Sequence, residues 1–211
     1  MKLVSGVGTN DAGYPVTKKV KGKIVWKCPF YRKWENMLYR VYKAKGRPNY
    51  SCCTVCEEWF TFSNFKSWME KQDWEGNDID KDILVKGNKV YCPENCRFVP
   101  PQVNYFILDK NTSGYMSGVK WNPHSKCYTA SCSDPFSKKV ISLGYYSDEL
   151  TAHLVWKEFK LSLAQRLSLK YTLPNEVIEA LLLRYKFTDD EAEYLNVNKL
   201  KTKISKRYRI E

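Results

Sequence analysis

The first sustained helical pattern starts at Pro29. Phe30, Trp34, Met37, Leu38 and Val41 recur on one face, with Arg32, Lys33 and Arg40 elsewhere. Pro29 suits a first helical position. A second helical run covers residues 62–72, with Phe65, Trp68 and Met69 as its stripe, Ser63 as its expected cap, and Gly76-Asn77 beyond its end. Residues 78–99 predict two short strands, one holding Ile79, Ile83 and Val85 and the other Arg97, Phe98 and Val99, with Gly87-Asn88 as the turn between them. Pro100-Pro101 breaks the chain, and residues 102–108 start a helix. Residues 1–27, rich in glycine, predict loop with one short hairpin.

Polar residues 109–114 predict a linker. Three strand-like pieces follow, at 118–121, 127–132 and 140–145, separated by turns at 122–126 and 134–138. Ser147-Asp148-Glu149 opens a helix with Leu150, Leu154, Trp156 and Phe159 among its apolar positions. Residues 174–185 give a further compact helix, with Val177, Ile178, Leu181 and Leu182 on one side, and 199–209 a basic, solvated arm. The expected fold is α+β in four parts: residues 1–108, the linker 109–114, a three-stranded sheet with its helix at 115–172, and a helical extension with a basic tail at 173–211.

At 211 residues with 43% hydrophobic side chains the chain can build a real core, whole or split in two. No apolar run approaches the roughly 20 residues of a membrane span, so no membrane insertion is expected. The first ten residues lack the apolar core of a signal peptide, so export is not expected.

Charge changes the picture. The chain carries +12, with 15% aromatic residues including 7 Trp and 15 Tyr, a composition that suits a polyanionic partner. Residues 16–49 hold eleven Lys/Arg and one acid; residues 50–85 hold eight acids and three bases; the last fourteen residues are again basic. Basic arms neutralise phosphates. An acidic island within a basic chain is where a phosphodiester-cutting metal ion would sit.

Eight cysteines are present. Cys53-x2-Cys56 and Cys92-x3-Cys96 flank the acidic island, and four thiolates at these positions could close a structural Zn2+ site; packed, reduced thiols are the alternative. Cys127 and Cys132 are expected to be packing residues.

The series Cys28-Pro29-Phe30-Tyr31 with Trp34 and Met37, Val55-Cys56-x-Glu58-Trp59, Phe62-x-x-Phe65-x-x-Trp68-Met69, Ile79-Asp80-Lys81-Asp82-Ile83, Lys86-Gly87-Asn88-x-x-Tyr91, Pro93-x-Asn95-Cys96-x-Phe98-Val99 and Asn104 resembles the phage-encoded HNH homing-endonuclease-like proteins. The resemblance covers about half of the chain. Residues 115–160 resemble the AP2-type DNA-binding domain through Gly118-Val119-x-Trp121, Leu143-Gly144-Tyr145-Tyr146 and Ala152. Together these imply a ββα-metal module that nicks or cuts double-stranded DNA, a sheet that reads the major groove, and a cytoplasmic life in an infected host cell. A monomer is expected, with a host protein as a further partner.

That resemblance implies a divalent cation, Mg2+ or another, held by Asp80 and by Asn104 on the helix. It implies Asn95 as the residue that holds the loop. The base position carries Lys81 or Asp82, according to where the gap is placed, and no histidine: His124 and His153 both lie in the other half. A carboxylate can act as base, though weakly at neutral pH. In the second half Lys120, Lys126, Lys138 and Lys139 sit at strand ends or turns, where phosphate contacts are expected. Trp121 and Tyr128 are candidate DNA contacts, although they and Tyr145 also suit a core. The runner-up reading is a DNA-binding or host-interaction protein on an inactive HNH scaffold, favoured by the missing histidine.

Overall fold

In a computed structural model, residues 3–44, 52–108 and 114–197 are described. The end of the basic segment 16–49, most of the linker and the basic tail lie outside those residues. The fold is mixed α+β, built from helices and several small sheets. No helix among the described residues is long and apolar enough to cross a membrane. The chain divides into two compact units, Met1–Pro101 and Gln102–Glu211. The division thus falls one residue into the helix at residues 101–107.

The first unit holds strands β1 (Thr17–Val20) and β2 (Lys23–Lys27), helix α1 (Pro29–Tyr42), β3 (Thr54–Val55), a 3-10 turn (Glu57–Phe60), α2 (Phe62–Met69), β4 (Asp78–Asp80), β5 (Val90–Tyr91) and β6 (Arg97–Val99). Its core is aromatic. Trp34, Trp59, Phe62 and Phe65 are fully buried, with ring centroids 5.4 Å apart for Trp34–Phe62 and 5.1 Å for Trp59–Phe65. The Trp34 indole N–H donates to the Trp59 carbonyl at 2.7 Å, the partner a buried indole needs. Much of the aromatic content is therefore core rather than a surface for stacking on a polyanion. The N-terminal segment packs onto α1 through Gly8: a Cβ there would meet Leu38 at 2.4 Å and Trp34 at 2.8 Å.

Ser63 is not the cap of α2; Thr61 occupies that position without a side-chain bond. Asp11, far away in sequence, bonds the Ser63 N–H at 2.9 Å and accepts from its hydroxyl at 2.5 Å. A carboxylate at a helix N-terminus is stabilising, and here it also ties down the N-terminal loop.

Two strand pairings differ from expectation. Ile83 and Val85 lie outside β4, which pairs antiparallel with β6 over Asp78–Asp80 only. Gly87-Asn88 does form a turn, with the Asn88 N–H donating to the Val85 carbonyl at 3.0 Å. It leads into β5, however, which pairs in parallel with β3.

The second unit holds α3 (Pro101–Ile107, of which Pro101 belongs to the first unit), the antiparallel sheet β7 (Val119–Asn122), β8 (Cys127–Ser133) and β9 (Val140–Tyr146), then α4 (Glu149–Lys170), α5 (Asn175–Leu183) and α6 (Asp189–Val197). Asp148 caps α4 by accepting from the Thr151 N–H at 2.7 Å. One face of the sheet buries Val119, Ala130, Cys132 and Leu143, where α4 brings Ala152, Leu154 and Val155. Gly118, at φ +81°, is required: a Cβ there would fall 2.1 Å from the Trp156 ring. Helix α6 is opened by Thr188 and Glu191, which bond each other's backbone N–H groups at 3.3 and 2.8 Å, a capping box.

Candidate functional site

Ile79 and Ile83 are buried, so the chain leaving β4 is drawn back into the core within four residues. The turn this forces is closed by Asp80, whose carboxylate accepts the Asp82 N–H at 2.8 Å, an Asx-type arrangement. Asp80 is only 8% exposed. Burial first, and the Asp82 carboxylate second, raise its pKa to about 6. Lys81 is also buried, and its ammonium lies 3.6 Å from Asp82 Oδ2. Two carboxylates and one ammonium thus meet at the end of one short strand. Of the other acids of the island, Glu57, Glu58, Glu70, Asp73 and Glu75 are exposed and Asp78 is half-buried.

The loop is held by a residue that sequence reasoning took only for a turn former. Asn88 donates to the Lys81 carbonyl at 2.6 Å and to the Val90 carbonyl at 2.8 Å, and it accepts the Val90 N–H at 3.2 Å. Asn95, expected in that role, reaches Asn88 Oδ1 at 3.4 Å and stands one step behind it. Arg97 fixes the 93–96 turn through the carbonyls of Pro93 and Cys96, at 2.9 and 2.6 Å. Asp78 precedes Asp80 by two residues on β4 and so shares its face of the strand; it lies 3.3 Å from the Lys33 ammonium. Asn104 is half-buried on α3, in the second unit.

Cys56 follows β3 and Cys92 follows β5, and the Cys56 N–H donates to the Tyr91 carbonyl at 2.9 Å. Cys96 is one turn beyond Cys92, its N–H bonding the Cys92 carbonyl at 3.0 Å. Burial pushes all three thiols up, Cys96 furthest; Cys92 adds to the rise at Cys56, and both Cys92 and Cys56 add to it at Cys96. Cys53 is buried two residues before Val55. Among the described residues no group of three or more His, Cys, Asp or Glu side chains is placed to hold a metal ion.

In the second unit, the register sets Lys120, Thr129 and Tyr145 side by side across β7, β8 and β9. The adjacent row, Val119, Ala130 and Gly144, is buried, so Lys120 and Tyr145 stand on the open face, Tyr145 at 67% exposure. Tyr145 therefore belongs to that surface and not to the core. Trp121 and Tyr128 face each other across β7 and β8, with ring centroids 4.9 Å apart. By alternation they share the face that carries Val119 and Ala130. Lys126, Lys138 and Lys139 are exposed in the two turns. Lys126 and Lys138 hold positive φ, at 48° and 58°, a conformation that glycine or asparagine usually takes. The two histidines belong to the second unit: His124 is in the exposed β7–β8 turn, and His153 bonds the Ser117 carbonyl at 2.9 Å and stacks on Trp156.

No family model matches the chain, and no curated protein and no solved structure matches it either.

Proposed function

We propose that this chain is a metal-dependent, HNH-type DNA endonuclease or nickase of the kind encoded by phages, with an AP2-like sheet that engages duplex DNA. The observation that carries the reading is the buried Asp80 beside Asp82, pinned by backbone bonds at the end of β4. The order strand, loop, strand, helix through β4, β6 and α3 agrees with a ββα-metal module. The order β7, β8, β9, α4 agrees with the AP2-like one.

Two neighbouring carboxylates are hard oxygen donors and suit Mg2+ or Mn2+, ions that often take one or two protein carboxylates and keep several waters. Asp80 would hold the ion, with the Asp82 carboxylate beside it. Such an ion supplies Lewis-acid stabilisation of a phosphoryl oxygen and a water of lowered pKa. The chain's own part is to keep the loop fixed through Asn88, to place the Lys81 ammonium beside the carboxylates, and to offer Asp82 as the proton acceptor. Zn2+ held by Cys53, Cys56, Cys92 and Cys96 is a separate proposal; at Cys56, Cys92 and Cys96 a metal would have to displace protons that burial retains.

A second reading has its own observation. The first unit's sequence holds no histidine, and His153 of the second unit is engaged with Ser117 and Trp156. The alternative is an inactive HNH scaffold that binds DNA or a host protein. Incubation of supercoiled plasmid with Mg2+ or Mn2+ separates the two. The nuclease reading expects slow relaxation that Asp80→Ala abolishes and that Lys81→His or Asp82→His accelerates. A wild-type protein that binds the plasmid and never nicks it, with neither histidine variant active, leaves the scaffold reading.

A further inference from the structure

The hairpin β1–β2 supplies no residue to the carboxylate site or to the β7–β9 sheet, and its residues do not pack like those of any other strand pair among the described residues. From residue 18 to residue 26 every side chain is exposed. Val20, Ile24, Val25 and Trp26 are 57, 53, 61 and 40% exposed. The same ribbon holds Lys18, Lys19, Lys21, Lys23 and Lys27 and no acid. The register pairs Lys18 with Trp26, Lys19 with Ile24, and Val20 with Lys23. Each of these cross-strand pairs sets one lysine against one apolar side chain. Lys18 also lies over the Trp26 ring, 5.4 Å from its centroid.

The ribbon is tied down only at its base. The Cys28 N–H donates to the Val16 carbonyl at 2.8 Å, Val16 packs on the aromatic core, and Lys27 is bonded by Glu35 of α1. Its tip turns through Lys21 and Gly22, both at positive φ, 48° and 78°. This is the type I′ pattern, in which asparagine or glycine relieves the first position at no cost. A lysine there accepts roughly 1–2 kcal/mol of strain to hold a cation at the tip.

Isolated two-stranded ribbons are marginal in water, and this one gains nothing from a buried face. Its composition matches instead a polyanion with an apolar-lined groove. The B-DNA major groove, about 12 Å wide, admits a two-stranded ribbon and presents thymine methyl groups between two rows of phosphates. We infer that β1–β2 is a DNA-groove ribbon: Lys18, Lys19, Lys21 and Lys23 contact phosphates, and Trp26 with Ile24 contacts base edges. The inference rests on the DNA-binding part of the proposed function and adds a contact surface in the first unit.

The test is binding of the full chain to a fluorescent 20-base-pair duplex, titrated between 50 and 200 mM salt, in the absence of divalent metal. The variant combines Lys18→Gln, Lys19→Gln, Lys21→Asn and Lys23→Gln; its thermal unfolding is measured alongside, and Lys21→Asn keeps the turn. With four phosphate contacts removed, the slope of log affinity against log salt should fall by roughly three to four, and affinity at 50 mM by a hundredfold or more. Lys→Arg at the same four positions should retain binding, and Trp26→Ala should weaken it severalfold. Wild-type binding that the glutamine variant matches, in both affinity and slope, overturns the ribbon and leaves the DNA reading standing. A wild-type chain that shows no duplex binding at 50 mM salt overturns both. Ribbon-dependent binding to phosphatidylserine vesicles, with duplex binding unaffected by the same variant, would make the surface a lipid contact and overturn the inference.

Discussion

The β1–β2 ribbon and the β7–β9 sheet are both antiparallel, both basic and both rich in β-branched or aromatic residues, yet only one of them has an inside. In the sheet, Val119, Ala130 and Leu143 are buried on the face that meets α4, while Lys120 and Tyr145 occupy the other. In the ribbon, Val20, Ile24, Val25 and Trp26 reach water on both faces. The contrast teaches that strand sequence reports two separate things. Alternating burial reports folding; apolar residues that bury nothing report something outside the fold.

The comparison can be broken most severely by a buried charge. Ala130→Asp places a carboxylate against α4 with no partner, and more than about 4 kcal/mol of stability should be lost. Ile24→Asp, in the ribbon, should change stability by less than about 0.5 kcal/mol. Urea unfolding of the two variants checks the pair, and equal losses would show that the ribbon has a buried face after all.

Glycine substitution sharpens the same contrast with a smaller effect. At Gly118 an added methyl meets the Trp156 ring and a left-handed backbone together, so Gly118→Ala should cost about 3 kcal/mol. At Gly22 the space is open and only the backbone objects; Gly22→Ala should cost about 1 kcal/mol. Thermal unfolding resolves the two.

The smallest expected effect is a pH dependence confined to the second unit. One carboxylate oxygen of Glu158 on α4 is buried without a hydrogen-bond partner, and burial raises its pKa from 4.5 to about 7. The raised value means that the folded state favours the protonated form. The resulting stabilisation is complete below pH 4.5 and is lost as pH rises through about 7. Because the residue is only partly buried, water screening limits the effect to about 1 kcal/mol. Glu158→Gln should match wild type at pH 4 and exceed it by that amount at pH 8, in chemical unfolding monitored at both values.

How much of this was legible from sequence follows from the same contrast. Helix α1, strands β7–β9 and the Asp148 cap of α4 were readable because each buries one face or one stripe, which writes a period into the chain. The β3–β5 pair was not readable: two residues per strand carry no period, and a parallel pairing of Val55 with Tyr91 leaves no turn signal. Helix α6 was passed over because its composition is acidic, although Thr188 and Glu191 wrote a capping box at its start. At the carboxylate site, Asp80 and Asp82 were singled out by the resemblance of the surrounding residues to the HNH pattern. Asn88 was read only as a turn residue, because its bonds to the Lys81 and Val90 carbonyls depend on a loop path that no local pattern encodes. The distant capping of α2 by Asp11 is the same kind of information.

A nicking rate measured against both pH and Mn2+ concentration bears hardest on the carboxylate pair. Asp80 must lose its proton to hold a cation, and its pKa of about 6 without metal sets proton and metal in competition for the same oxygens. At low Mn2+ the rate of supercoiled-plasmid nicking should rise as pH increases through about 6 and then level off. The midpoint should move to lower pH as Mn2+ is raised, and Asp80→Ala should remove the activity at every pH. Nicking that persists in Asp80→Ala, or a midpoint that stays fixed while Mn2+ varies a hundredfold, would contradict the assignment of Asp80 as a metal-holding carboxylate.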